Sequence, residues 1–346
     1  MKALVYTSAN TVELQERDKP TLQSPTDAIV KLLHTTICGT DLHILAGHVP
    51  SAQPGRILGH EGVGVIESLG SAVVGLSVGD TVLISCITAC GSCRSCRKGM
   101  PSHCVEGGWI LGNTIDGTQA EYVRIPHATS SLYKLPSGVD PRAAVALSDA
   151  FPTGLECGTL NARVEPGNTV VIVGAGPVGL AAMITAKLYS PSLIVVVDLD
   201  DARLQAAREL GANHTVNSRT ADVVKTLRDL TPGGEGFDSV IEAVGIPATF
   251  ELCQELVAPG GAIANVGVHG QKVDLHLEKL WDRNISINMK LVDAVTTPKL
   301  LRLYESGTLK PGSLLTHSFS FAQANQAYDT FRAAAKHNAL KVIIDL

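Results

Sequence analysis

The sequence predicts an α/β protein of two domains, one rich in short strands and one built on a doubly wound parallel sheet. Three observations predict it. The chain has 346 residues, more than one compact core carries. Residues 1–150 read as short β-branched segments between glycine turns, with little helical periodicity. Beyond them, continuous apolar runs alternate with helical patterns, as expected for parallel strands buried on both faces.

The elements follow in order. MKALVYTSAN opens as a strand, and AIVKLLHTT, GVGVIESLG and DTVLISC are strands bounded by Gly, Pro or Asp. The character changes near LSDAFPTGLECG. TVVIV and LIVVVDL are apolar runs of strand length. DDARLQAARELGA and RTADVVKTLRDLTP carry apolar residues at helical spacing, with acidic starts and Gly or Pro stops. FDSVIEAVG and GAIANVGV add strands. After Leu291 the alternation weakens: TTPKLLRLYESGTL and FAQANQAYDTFRAAAKHN read as helices and ALKVIIDL as a closing strand.

Composition narrows the function. Apolar residues make up 45% and charged residues 18%, a globular balance, and the net charge is −5. No stripe of Lys and Arg is present, so nucleic acid is set aside as a partner. No apolar run approaches the roughly 18–20 residues that span a bilayer, so no membrane partner is expected. The N-terminal segment lacks the apolar core and small-residue cleavage site of a signal peptide. The expected compartment is the cytoplasm, where clustered cysteines ligate metals more often than they form disulfides.

VVIVGAGPVGLAA contains Gly174, Gly176, Pro177, Val178 and Gly179 between a predicted strand and a predicted helix, and a second apolar strand ends at Asp198. That context turns a GxGxxG match into a dinucleotide fingerprint. Gly174 permits a tight turn, Gly176 clears the pyrophosphate, and Gly179 lets helix and strand pack closely. The helix N-terminus offers unpaired N–H groups to phosphate. Asp198 is placed to bind the adenosine ribose hydroxyls and to repel a 2′-phosphate, favouring NAD over NADP. Arg203, about one helical turn on, is the group that could meet that phosphate instead. The alternative is a glycine turn of another α/β protein, with Asp198 as a helix cap.

Cys90, Cys93, Cys96 and Cys104 follow the spacing C-x2-C-x2-C-x7-C. Four thiolates saturate tetrahedral zinc and leave no position for substrate, so this is a structural site. The basic residues between them offset the negative charge of such a cluster. Disulfides or unligated surface thiols are the alternative. A second, scattered signal comes from Cys38, after a predicted strand, and His60, before one. Asp149, in LSDAFPTG, offers a third donor. Three protein ligands would leave one position open, the arrangement of catalytic zinc. On spacing alone these three also fit a core cysteine, a buried histidine and a helix cap.

CGTDLH, LGHEGVGVI, GDTVLI, the four-cysteine loop, LSDAFPTG, GAGPVG and LKVIID occur in an order that resembles the zinc-dependent medium-chain alcohol dehydrogenases, essentially from end to end. The resemblance implies a GroES-like, β-rich catalytic domain (1–150, completed by 292–346) interrupted by a Rossmann NAD-binding domain (151–291), with the active site in the cleft between them. It implies two zinc ions per chain, the catalytic one on Cys38, His60 and Asp149. Many eukaryotic members have cysteine where this chain has Asp149, which points to the bacterial branch. Glu61 resembles the family's glutamate beside the metal, with Lys341 as its alternative ion-pair partner. Lys341 also falls where the family has a basic residue near the pyrophosphate.

The implied reaction is reversible hydride transfer between an alcohol and NAD. Thr40 and His43 resemble the family's proton exit. Thr153, Val244 and the backbone of Val266 and Val268 would contact the nicotinamide half. Trp109, Ile110 and Leu111 would line a substrate wall, and Cys86 would widen the pocket. A polyol or formaldehyde dehydrogenase is the alternative within the superfamily. A catalytically silent NAD- and zinc-binding redox sensor is the alternative from another class. A homotetramer is expected, with a homodimer as the alternative.

Overall fold

AIVKLLHTTI is long and β-branched, and it becomes the spine of one sheet. The computed structural model describes residues 1–219 and 222–346. They form two units, Met1–Pro152 with Asp293–Leu346, and Thr153–Val292. In chain order the strands of the first unit are β1 (Lys2–Ser8), β2 (Thr11–Glu16), β3 (Ala28–Ile37), β4 (Gly62–Leu69), β5 (Thr81–Ile84), β6 (Tyr122–Ile125) and β7 (Leu132–Lys134). The second unit holds β8 (Thr169–Val173), β9 (Leu193–Asp198), β10 (His214–Asn217), β11 (Phe237–Glu242), β12 (Val257–Asn265) and β13 (Ser286–Met289). The chain then returns to the first unit with β14 (Leu315–Ser320) and β15 (Lys341–Asp345).

In the first unit β1 and β2 form a hairpin, and a larger sheet runs β14-β15-β3-β4-β5-β7 with β6 on β3. β3 pairs antiparallel with β4, β6 and β15. Its Val30 and Leu32 join one apolar cluster with Val82, Ile84 and Val123, while Ile37 joins another with Leu4, Tyr328, Val342 and Ile344. Burying each such aliphatic side chain contributes about 1.5–3 kcal/mol.

The second unit is a parallel sheet in the order β10-β9-β8-β11-β12-β13. All five residues of β8 are buried, as a central strand covered on both faces requires. Helices Pro177–Lys187, Asp201–Glu209, Val223–Arg228 and Pro247–Leu256 follow β8, β9, β10 and β11. The order reverses between β8 and β11, the switch point at which such sheets bind ligands.

Three elements differ from the expectation. The helix expected over RTADVVKTLRDLTP spans only Val223–Arg228, because Asp222 takes φ 58° and caps it through Lys225 N; Thr220 and Ala221 lie outside the described residues. A helix, Gly39–Leu45, follows β3 where strands alone were expected; two turns are too short for periodicity to reveal. LSDAFPTGLECG runs into a π-helix, Gly154–Leu160, whose Gly154 and Gly158 let it press against Pro177–Lys187. No helix among the described residues is long and apolar enough to cross a membrane.

Candidate metal centre and nucleotide site

Strand register builds the first site. Thr35 of β3 stands opposite Gly62 of β4, and Val342 of β15 stands opposite Ile37 of β3. Antiparallel pairing therefore brings the end of β3, the residues before β4 and the start of β15 together. Cys38 follows β3 and caps the helix Gly39–Leu45, its N–H donating to Asp41 Oδ2 at 2.9 Å. His60 and Glu61 precede β4. Asp149 is brought in by its neighbour Ser148. Gly62 N donates to Ser148 Oγ at 3.1 Å, and that hydroxyl donates to Gly62 O at 3.3 Å.

Cys38 Sγ lies 3.8 Å from Asp149 Oδ2 and 3.7 Å from Thr40 Oγ1. His60 Nε2 is 3.5 Å from Asp149 Oδ2. One donor atom from each of Cys38, His60, Glu61 and Asp149 lies within 4.8 Å of the others. A thiolate, an imidazole and a carboxylate so gathered fit a zinc ion with an open position. His60 Nδ1 and Asp41 Oδ1 are both buried without a hydrogen-bond partner among the described residues, and the two groups attract each other. A proton on Nδ1 is the tautomer that leaves Nε2 for a metal.

The electrostatics show the pull that these donors exert on a positive charge. Burial penalises charge on His60, but Asp149 and Cys38 outweigh it and hold its pKa well above the ordinary value. Burial pushes Glu61 up to about 7 against the pull of Lys341, and Asp149 adds to the rise. Glu61 Oε1 accepts from Lys341 Nζ at 2.6 Å, and Oε2 accepts from Thr36 Oγ1. Burial lowers the Lys341 pKa, and Glu61 more than reverses that. Lys341, placed beside the pyrophosphate by the resemblance, is thus the buried ion-pair partner of Glu61. Gln119 Nε2 donates to Asp41 Oδ2 at 3.1 Å, and Tyr328 OH donates to Gln119 Oε1 at 2.8 Å. Asp41, Ser148, Thr36, Gln119 and Tyr328 were missed in the sequence. Asp41 and Ser148 adjoin candidate residues; the others carry no signal.

Thr40 is half-buried and His43 exposed. Burial, and then the charge of His48, lower the His43 pKa; the two Nδ1 atoms are 3.2 Å apart. Trp109 stands edge-on to His60 with ring centroids 6.2 Å apart. Leu111, expected on a substrate wall with Trp109 and Ile110, is fully buried in the core cluster of Ile84 and Val123. Cys86 is also buried.

The second cluster is local. Cys90, Cys93, Cys96 and Cys104 place their sulfurs within 4.8 Å of one another, and none is in a disulfide. Short helical turns at Arg94–Arg97 and Pro101–His103 fold the loop. Paired N–H···O bonds between Thr88 and Gly108 close its neck. Ser102 ties it to Asp293, its N and Oγ donating to Oδ1 at 3.1 and 2.6 Å. Hydrogen bonds from Ser92 lower the Cys90 thiol to about 6, whereas burial and Cys93 push Cys96 up to about 12. A cation that balances four thiolates suits such a cluster.

In the second unit Gly174 takes φ 108° between β8 and the helix Pro177–Lys187, which Gly176 caps. A Cβ on Gly179 would sit 1.9 Å from Gly174 O, whereas one on Gly176 would meet nothing within 4 Å. The first contact is packing; the second leaves space for a ligand. Asp198 Oδ2 accepts from Ala175 N at 2.7 Å, so the carboxylate is held against the glycine turn. The cap of the next helix is Asp200, not Asp198. Arg203 Nε is buried without a partner among the described residues. Pro177 and Val178 are half-buried in the first turn of the helix. Thr153 opens the unit and is half-buried, while Val244 and Val268 are exposed.

A unit holding two metal-donor clusters and a unit holding a dinucleotide turn define a class, the zinc-binding oxidoreductases. Residues 24–137 match the alcohol dehydrogenase GroES-like domain, and residues 177–306 match the zinc-binding dehydrogenase family. An alcohol dehydrogenase of Cupriavidus necator is 36% identical over 99% of this chain and 98% of its own length. A zinc-dependent alcohol dehydrogenase 2 from Streptococcus pneumonia has a structure with TM-score 0.95, at 50% identity, covering 100% of this chain and 98% of that one. A short chain alcohol dehydrogenase from E. coli CFT073, complexed with NADH, has TM-score 0.91 at 28% identity, covering 100% and 99%. The chain belongs to the zinc-dependent medium-chain alcohol dehydrogenase family. It is an oxidoreductase whose fold and donor clusters fit zinc and a nicotinamide cofactor.

Proposed function

We propose that the chain is an NAD-dependent alcohol dehydrogenase interconverting a primary or secondary alcohol with its aldehyde or ketone. The observation that carries this is the gathering of Cys38, His60 and Asp149, with Thr40 Oγ1 3.7 Å from Cys38 Sγ. When bound, zinc supplies a Lewis acid to the substrate oxygen and NAD supplies the hydride acceptor. Cys38, His60 and Asp149 would hold that zinc. Glu61, neutralised by Lys341 and fixed by Thr36, would stand ready as a further carboxylate. Cys90, Cys93, Cys96 and Cys104 would hold a second zinc that makes no contact with substrate.

Thr40 would accept the proton of the substrate hydroxyl as it passes its own onward, and exposed His43 would take up a proton from that relay and release it to water. The lowered pKa of His43 keeps its neutral, proton-accepting form present into more acidic solution. A silent binding protein has no use for that exit. Residues 1–150 and 292–346 serve as the catalytic domain and 151–291 as the nucleotide domain. There Gly174, Gly176, Pro177, Val178 and Gly179 receive the pyrophosphate, and Asp198 the adenosine ribose. Thr153, Val244, Val266 and Val268 flank the nicotinamide half. The negative charge of Asp198 supports NAD over NADP, with Arg203 the residue that would favour NADP. A homotetramer in the cytoplasm completes the proposal, a homodimer being the other assembly.

The test is purified protein assayed for zinc content and for NADH formation with primary and secondary alcohols, polyols and formaldehyde, each with NAD and NADP. Two zinc ions per chain and alcohol-dependent NADH formation are expected. Turnover restricted to polyols or formaldehyde would move the substrate class. One zinc per chain with no turnover on any of them would overturn the proposal.

A further inference from the structure

Glu242 ends β11 beside the switch point of the parallel sheet, and its side chain is fully buried. Its carbonyl oxygen accepts from Val266 N at 2.8 Å and Gly267 N at 3.2 Å, both in the loop after β12. Its Oε1 accepts from Val244 N at 3.0 Å, Gly245 N at 2.9 Å and Thr249 Oγ1 at 2.6 Å, all following β11. One residue thus grips two loops, one through its main chain and one through its side chain. A buried carboxylate taking three donors makes charge-assisted bonds that are costly to lose.

The other oxygen points to a partner that the sequence did not single out. Oε2 is buried with no hydrogen bond among the described residues, and His269 Nε2 lies 3.6 Å away. Asn265 Nδ2 donates to Gly267 O at 3.1 Å, so Asn265 Oδ1 is the acceptor for His269 Nε2 at 2.8 Å. That network assigns the ring proton to Nε2, on the side of Glu242. Phe250 holds the ring edge-on, with centroids 5.9 Å apart. The loops also touch directly. A Cβ on Gly245 would sit 2.5 Å from Val268 O, and one on Gly267 would sit 2.4 Å from Glu242 Oε2.

We propose that Glu242, steadied by His269, is a positioning residue for the nicotinamide half of the cofactor. It locks the loop of Val244 and Gly245 to the loop of Val266–Val268. The inference rests on the nicotinamide reading above, which gives these two loops that half of the molecule. The adenosine half depends on it less: the glycine turn hydrogen-bonds to Asp198 and Val197 and meets the held loop only by packing, a Cβ on Gly174 lying 2.7 Å from Val244 Cγ2. Loss of Glu242 therefore weakens recognition of nicotinamide far more than recognition of ADP-ribose.

The test compares NADH, followed by its fluorescence, with ADP-ribose, followed by calorimetry, on the full chain. Glu242→Ala is expected to weaken NADH binding about ten-fold or more while ADP-ribose stays within about two-fold of wild type. Glu242→Gln keeps one acceptor oxygen and loses the charge, so it is expected to fall between. His269→Ala is expected to weaken NADH about three-fold, again without effect on ADP-ribose. If Glu242→Ala fails to fold, the other two variants carry the same comparison. Equal weakening of both ligands, or unchanged NADH affinity in every folded variant, overturns the proposal. Wild-type protein that binds ADP-ribose but not NADH removes the nicotinamide reading itself, and this inference with it.

Discussion

The two donor clusters lie in one unit and are assembled in opposite ways. Cys90–Cys104 is a loop that brings its own four sulfurs together, with helical turns inside it and a closed neck at Thr88 and Gly108. Cys38, His60 and Asp149 come from three places, and Cys38 and Asp149 are 111 positions apart. The loop needs little of the fold; the scattered cluster needs the register of β3, β4 and β15 together with the Ser148 clamp. Four like donors close a metal to other ligands, whereas three mixed donors leave a position open. On the proposed function that difference separates stability from chemistry, and substitutions can break the separation.

The largest effect is expected at the scattered cluster. Asp149→Ala or Cys38→Ser should lower hydride transfer by about a thousand-fold or more, remove one zinc per chain and leave the circular dichroism unchanged. Retained turnover would place the chemistry elsewhere. Cys93→Ser should do the reverse, lowering the unfolding free energy by several kcal/mol while the folded fraction still turns over. A stable Cys93→Ser protein devoid of hydride transfer would invert the division of labour.

Support for the scattered cluster is next in size. Lys341→Met leaves Glu61 buried without its cation and should cost about 3–5 kcal/mol in denaturant unfolding. Adding Glu61→Gln should recover part of that loss, because the uncompensated charge is then gone. If the single variant is as stable as wild type, the pair does not hold the site.

Smaller changes concern selectivity and proton release. Asp198→Ser should raise the ratio of NADP to NAD efficiency about ten-fold, read from paired kcat/KM values. His48→Asn removes a positive neighbour that lowers the His43 pKa. As a base His43 works when neutral, so activity falls as pH drops through its pKa. Raising that pKa moves the acidic limb of the rate profile to higher pH. A limb that stays in place would show that His43 does not carry the proton.

Legibility in the sequence followed the range of the interaction. β8 was readable because TVVIV is one buried run, and the glycine turn because its geometry is contained between one strand and one helix. The helix Gly39–Leu45 was not readable, since its two turns follow the long apolar strand β3 without a break. Asp149 could be named as a donor, but Ser148, which holds it in place, resembled any serine near a domain junction. Glu242 and His269 were invisible for the same reason. One looked like the last residue of a strand and the other like a loop histidine, until the sheet placed them 3.6 Å apart.

By itself the sequence determined the four-cysteine loop, the dinucleotide turn and the alternation of strands and helices. In each, the residues that matter lie within a few turns of backbone, so chain geometry alone brings them together. Only the tertiary structure decided that Cys38, His60 and Asp149 meet, that Lys341 neutralises Glu61 and that Leu111 belongs to the core. Those contacts cross long stretches of chain, and only strand register and the packing of buried side chains can set them.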